Sequence, residues 1–381
     1  MKNSKCALAG IFLLIFSIMI GGCGGQSSTA STEQQKQEIR FQDVLGREIV
    51  LAKPAQRVLI GFYAESFMAV GGPDALERVA AMSKGEWRDF FYPQFVAYTQ
   101  QLPQLEKIVD TGSIYGGSFS IENAIATRPD VAILAPFQYD TLGDNVKKLE
   151  AAGIRVVVID YNSLTLEKHV TSTLVLGKVL GQEGRAKQLA DEYKAAVEDV
   201  KNRVAGANDK PKRVYFELGN KEATDYGNSY GDYMWGSMIG LAGGENIALG
   251  KVKSYGALSP EYILSANPEV IFFAGLQFSN QDKKSVLTGF NIPAEVTQQS
   301  LVPYEKRPGW DKLQAFRDRE VYVVDHGSLR SVYDYVFLQY IAKALHPKAF
   351  QDVDPSKNHA EFYRKYLPVK PVGTFMLKME G

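Results

Sequence analysis

Two cysteines in 381 residues, Cys6 and Cys23, leave no room for a disulfide framework. Cys6 lies just before an apolar N-terminal run, so a chain cut behind that run keeps one thiol and can form no internal bridge. Histidine is also sparse: His169, His326, His346 and His359 are the only four, and none precedes residue 169. A bare zinc or manganese ion held between two lobes needs several imidazole ligands from both, so this supply argues against a bare transition-metal site. His326, in a loop behind a strand, could ligate a haem iron, although a lone loop histidine is more often a surface residue. Excess charge is missing too. Forty-three Lys and Arg balance 43 Asp and Glu, which argues against nucleic acid or an anionic surface as a bulk partner. Zinc-protease and paired-cysteine motifs are absent. Gly227-Asn-Ser229-Tyr-Gly231 fits the Gly-x-Ser-x-Gly pattern of a serine hydrolase, but no apolar strand feeds it. Gly244 with Gly250-Lys251 is one residue too long for a phosphate loop, and Val252 stands where Ser or Thr is required.

The longest apolar run, Ala7 to Ile20, is 14 residues, short for a membrane span and typical of a signal-peptide core behind Lys2 and Lys5. It ends in Gly21-Gly22-Cys23. Small residues before a cysteine at this point resemble the lipobox of bacterial lipoproteins, which implies removal of residues 1–22 and lipidation of Cys23. Acyl chains on Cys23 would hold the protein at a membrane surface, each buried CH₂ adding about 0.8 kcal/mol. Residues 23–39, rich in Ser, Thr and Gln, have no core-forming pattern and read as a flexible tether.

What the chain does have is a long helical stretch from Leu166 to Val204 with related sequence on either side. Val170, Leu174 and Leu180, then Ala186, Leu189, Tyr193, Val197 and Val200 keep helical spacing, interrupted at Gly181-Gln-Glu-Gly184. The segment from Glu183 to Val204 should be about 33 Å long at about 1.5 Å per residue, enough for a strut between two lobes. Around it, Ser120-Ile-Glu122 through Pro129-Asp130-Val131 matches Ser259-Pro-Glu261 through Pro268-Glu269-Val270 at a constant offset of 139. Arg57-Val-Leu-Ile60 likewise pairs with Arg213-Val-Tyr-Phe216, and Val156 to Asp160 with Val321 to Asp325. Strands alternating with helices in both halves predict an α/β protein, with two similar Rossmann-like lobes on mostly parallel sheets bridged by one long rigid helix. The expected divisions are an N-terminal lobe at 40–164, the spanning helix at 165–206, and a C-terminal lobe with an extension at 207–381. That extension, after His346-Pro347, should pack on the second lobe.

Asp43-x-x-Gly46-Arg47-x-Ile49, Arg57-Val58 with a helix closing on Gly71, Ser120-x-Glu122 with Arg128-Pro129-Asp130-Val131, Gly243-Gly244-Glu245-Asn246, and Ser259-x-Glu261 with Asn267-Pro268-Glu269-Val270 carry a specific likeness. Together they resemble the iron-siderophore and cobalamin periplasmic-binding proteins, the substrate-capturing subunits of bacterial ABC importers, over roughly residues 40 to 345. The resemblance implies ligand in a cleft between lobes, limited lobe closure, and one glutamate per lobe, Glu122 and Glu261, docking on a permease dimer that works with an ATPase. Either glutamate also suits a plain helix start, where a carboxylate stabilises the first turn.

Ligand should meet the loops at the carboxyl ends of the strands. Aromatics and cations there give the candidates Tyr63, Trp87, Arg88, Tyr115 and Tyr139 on the first lobe, and Tyr226, Tyr230, Tyr233, Tyr255, Arg330 and Tyr333 on the second. Lys84 is a weaker third cation. Stacked rings with a few cations suit a large chelate carrying negative charge. The expected protein is a monomeric, lipid-anchored, extracytoplasmic solute-binding protein without a cofactor, making and breaking no bond, whose cargo is a ferric siderophore. Cobalamin, haem and molybdate are alternative cargoes, and a lipid-anchored hydrolase using Ser229 is the alternative of another class.

Overall fold

Arg57 and Arg213 do the same thing in two places. Arg57 donates from its side chain to the carbonyls of Arg128 (3.1 Å) and Thr127 (2.5 Å), and its N–H reaches Asp130 Oδ2 at 3.0 Å. Arg213 donates to Ala266 and Asn267 carbonyls, and its N–H reaches Glu269 Oε2 at 3.0 Å. Each arginine opens a central strand and takes the orphan carbonyls at the end of the helix that carries the Ser-x-Glu motif. Arg128 and Asn267, which end those helices, both hold positive φ, 48° and 43°. The internal repeat is therefore a repeat of hydrogen bonds and backbone turns.

The computed structural model describes residues 38–278 and 285–380. The signal segment, Cys23 and nearly all of the expected tether lie outside them; the tether's last residue, Ile39, already belongs to the strand Ile39–Gln42, paired with Glu48–Leu51 around Gly46. In the first lobe the sheet order is Val109–Asp110, Val79–Met82, Val58–Ile60, Val131–Leu134, Arg155–Val158, all parallel. In the second it is Glu245–Asn246, Arg213–Gly219, Val270–Gly275, Val321–Asp325 and Met376–Lys378, parallel except for the last strand. Both sheets start near the middle and reverse, so each has a switch point at its carboxyl edge, beside Gly61 in one and Gly219 in the other. These runs are β-branched and buried on both faces, as helix-covered parallel strands must be.

The stretch expected as a spanning helix is two helices, Leu166–Leu180 and Glu183–Gly206. Gly181 takes φ +63°, the Gln182 N–H returns to the Gly177 carbonyl at 2.8 Å, and the chain doubles back until His169 stacks on Tyr193 with centroids 4.7 Å apart. Glycine at 177 permits this, since a Cβ there would sit 2.4 Å from that of Ala186. The first helix packs on the N-terminal lobe against Ala64–Gly71. The second, about 36 Å long at about 1.5 Å per residue, reaches from the Ala69 carbonyl, through Arg185, to Asp352, through Arg203. One hydrophobic core runs through both lobes and these helices; separate clusters fill the outer face of each sheet.

The C-terminal extension touches both lobes. Its helix Pro355–Tyr366 sends Tyr363 to Glu65 of the first lobe (2.6 Å). Lys370 exchanges two hydrogen bonds with Gln101, and the chain then returns as the antiparallel edge strand of the second sheet.

Candidate functional site

The two carboxyl edges face one another across a cleft of about 350 Å³. Where each switch point opens, the first residues beyond the strand become its walls. Phe62 follows Val58–Ile60, Phe137 follows Val131–Leu134, and Leu276 and His326 follow the central strands of the second lobe. Nine Phe and Tyr rings line it: Phe62, Phe90, Phe91, Tyr115 and Phe137 from one side, Tyr230, Tyr233, Tyr255 and Phe278 from the other. They meet edge to face, Phe62 with Phe91 and Phe137, and Phe90 with Tyr115 and Phe278, so the lining is held before any ligand arrives. Tyr115 and Tyr255 stand 63% and 58% exposed at the rim.

Charge is scarce in this lining. Arg330 is 8% exposed and makes no ion pair among the described residues. Its Nη2 donates to the His326 carbonyl at 3.2 Å, its Nη1 lies 3.1 Å from His326 Nε2, and its guanidinium sits 5.1 Å from the Phe91 centroid and 5.8 Å from that of Phe62. Burial lowers its affinity for the proton, an effect opposed by the negative potential of Tyr230, Tyr233 and Tyr63. Trp235 Nε1 donates to His326 Nδ1 at 2.9 Å. Burial, with Arg330 beside it, pushes the His326 pKa well below the usual imidazole range, so the ring is neutral. A neutral imidazole offers one acceptor nitrogen, yet both nitrogens here face obligate donors. With Nδ1 taken by tryptophan, Nε2 carries the ring's hydrogen and serves Nη1 poorly as an acceptor, and the Arg330 Nε is buried with no hydrogen-bond partner among the described residues. Arg330 also holds φ +67° and Met234 φ +49°, two strained non-glycine residues on one wall.

Glu86 is the other charged group in the lining. It is buried, and accepts from the Tyr115 N–H (2.8 Å), Ser83 Oγ (2.5 Å) and Gln138 Nε2 (3.3 Å). It fixes the loop that carries Tyr115.

Of the residues expected at the ligand, the structure brings Tyr115, Tyr230, Tyr233, Tyr255 and Arg330 together in the cleft. It places the other six, and the weaker cation Lys84, elsewhere. Tyr63 turns under the wall and donates to Asn162 Oδ1 at 2.8 Å; Phe62, one residue earlier, faces the cavity. Trp87 is buried against Phe95 and Tyr98 with its indole N–H on Gln94. Arg88 pairs with Asp89 and Asp110 away from the cleft, and Lys84 reaches the Glu106 carbonyl. Tyr139 lies beneath the Arg47 guanidinium at 4.4 Å. Tyr226 packs on Trp310 and Arg307 behind the second sheet. Tyr333 is wholly buried, donating to Glu65 Oε2 at 2.7 Å. Two causes recur: the aromatic content of these stretches is legible but the direction of the side chains is not, and Lys84, Trp87, Arg88 and Tyr139 lie on short helices rather than in loops.

His326 is a wall residue with one nitrogen already bonded, not the surface histidine or free iron ligand that its loop position suggested. Ser229 is buried and, among the described residues, its Oγ has no hydrogen-bond partner, so none of them acts on it as a base. Glu122 and Glu261 are both exposed, each in the first turn of a helix capped by a serine: Ser120 accepts from the Asn123 N–H (3.1 Å) and Ser259 from the Tyr262 N–H (3.2 Å). Among the described residues there is no group of three or more potential metal ligands and no helix long and apolar enough to cross a membrane.

Comparison with known proteins agrees with this geometry. Residues 59–326 match the family model described as periplasmic binding protein. A TroA-like periplasmic binding protein, FepB, of Veillonella parvula is similar in structure at TM-score 0.84 and 32% identity, covering 90% of this chain and 100% of that one. Among curated proteins, the uncharacterized ABC transporter substrate-binding lipoprotein YvrC of Bacillus subtilis is 22% identical over 83% of this chain and 90% of its own length. The molybdate-binding protein MolA of Haemophilus influenzae is 24% identical over 88% and 90%. The iron(3+)-hydroxamate-binding protein YxeB of Bacillus subtilis is 23% identical over 84% and 88%.

Proposed function

This chain belongs to the periplasmic binding protein family, as an extracytoplasmic substrate-binding protein of an ABC transporter and not an enzyme, and from that premise we propose that its cargo is a ferric siderophore. One observation carries the proposal: a preformed cleft of about 350 Å³ walled by nine aromatic rings, with a single buried guanidinium that has no ion pair and an unpartnered Nε among the described residues. Such a wall grips a large, partly apolar molecule through ring contact, while Arg330 fixes its orientation by donating to one oxygen. A bare oxyanion such as molybdate offers the nine rings no apolar surface to grip. Haem and cobalamin fit the rings, but His326 has its Nδ1 committed to Trp235. A relative that carries iron(3+)-hydroxamate in its name adds weight to an iron chelate.

The same reading assigns Cys23 as the lipidated residue, a relative being named a lipoprotein, and Glu122 and Glu261 as the contacts to the permease. Both glutamates begin helices on the carboxyl edge of their own sheet, the edge that also forms the cleft. Titration of intrinsic fluorescence with ferrichrome, ferric enterobactin, haem, cobalamin and molybdate tests the cargo. Saturable quenching by a ferric siderophore is expected; saturation by molybdate alone would overturn the reading.

A further inference from the structure

The charge in the cleft sets the kind of chelate it can hold. Among the described residues that line it, only Arg330 and Glu86 carry formal charge, and they cancel. His326 is neutral, and Tyr230 stays a neutral phenol because burial raises its pKa. The two cations of the first lobe expected at the ligand are engaged elsewhere, Arg88 by Asp89 and Asp110, Lys84 by the Glu106 carbonyl. Asp325, behind the wall next to His326, accepts from Thr288 and twice from Ser328 and adds negative potential.

A multiply charged anion entering here would lose water against aromatic rings and meet no net positive field to replace it. A neutral complex loses little hydration and gains the rings' contact area. Resting on the reading that the cleft takes a ferric siderophore, we propose that it selects chelates of low net charge, in which the donor atoms just cancel the iron, as in a ferric tris-hydroxamate. Trianionic ferric tris-catecholates are then rejected. Arg330 is left to donate to a carbonyl or hydroxamate oxygen at the surface of the chelate, a task that one guanidinium suffices for.

The test compares neutral ferrichrome with trianionic ferric enterobactin on the full-length protein in detergent, by calorimetry at low and high salt. Ferrichrome should bind tighter by at least about tenfold, or about 1.4 kcal/mol, with little salt dependence. Tyr255→Lys, which sets a cation at the rim, should narrow that gap by strengthening ferric enterobactin binding at low salt. Equal or tighter binding of ferric enterobactin by the unaltered protein, or an unchanged ratio in Tyr255→Lys, would overturn the charge rule and leave the siderophore reading standing. Binding of neither chelate would remove both.

Discussion

Tyr363, eighteen residues from the C-terminus, donates to Glu65 Oε1 at 2.6 Å from a position 298 residues away in the chain. Tyr98 donates to the same oxygen (2.5 Å), Tyr333 donates to Oε2 (2.7 Å), and the Tyr333 and Tyr363 hydroxyls lie 2.8 Å apart. One buried carboxylate thus ties the first lobe, the second lobe and the C-terminal helix. Tyr363→Phe removes one of three donors and should cost about 1.5–3 kcal/mol, the range for a hydrogen bond to a charged group, read as a lower urea midpoint at unchanged slope. A loss below about 0.5 kcal/mol would show that the tie is not needed.

Glu65 also makes stability depend on pH. Burial raises its pKa above the ordinary 4.5, against the lowering effect of the three tyrosines. The folded state therefore binds the proton more tightly than the unfolded chain. The advantage is fully present below the unfolded pKa and is lost as pH rises through the folded one. Glu65→Gln should flatten this part of the profile, so the wild type's stability relative to the variant falls as pH rises from the ordinary carboxylate range. Denaturation at a series of pH values checks the sign, and a rising difference would contradict it.

Arg307 and Glu217 form a buried bidentate pair at 2.6 and 2.8 Å, with the guanidinium 4.2 to 4.6 Å from the centroids of Tyr226, Tyr304 and Trp310. Arg307→Met alone strands the carboxylate and should cost about 3–5 kcal/mol. Adding Glu217→Leu should recover much of that loss, because the pair's worth lies mostly in mutual neutralisation. A double variant as unstable as the sum of the singles would refute this.

Arg330→Gly separates binding from stability. A non-glycine residue in left-handed backbone costs roughly 1–2 kcal/mol, and a buried guanidinium without an anion adds to that cost. The variant should unfold at the same temperature or higher, yet bind ferrichrome at least about tenfold more weakly. A fall in melting temperature with affinity intact would reverse the assignment.

Glu122→Ala with Glu261→Ala should leave chelate affinity unchanged and abolish uptake in proteoliposomes holding the transporter. Both carboxylates are exposed and neither lines the cleft. Normal uptake would return them to the role of helix starts.

The repeat at offset 139 carried the fold, because Arg57 with Asp130 and Arg213 with Glu269 need the same residues at the same strand starts to close equivalent hydrogen bonds. The doubling back at Gly181 was written as two glycines, but whether glycine bends, breaks or reverses a helix depends on what packs opposite, here Ala186 and Pro54. Composition pointed to the cleft loops. It could not choose between Phe62 and Tyr63, since a loop without a period does not say which neighbour faces inward. The Glu65 cluster was invisible for a different reason: its members are scattered from 65 to 363 and share no motif.

The final strand, Met376–Lys378, and the helix before it bear on how the molecule is assembled. Part of the first lobe's interior is supplied by residues far downstream of it, so an emerging nascent chain cannot finish that lobe until they have been made. Early amino-terminal intermediates must wait with Glu65 lacking its Tyr333 and Tyr363 partners, and a nonsense change near residue 350 would harm the beginning of the protein as much as its end.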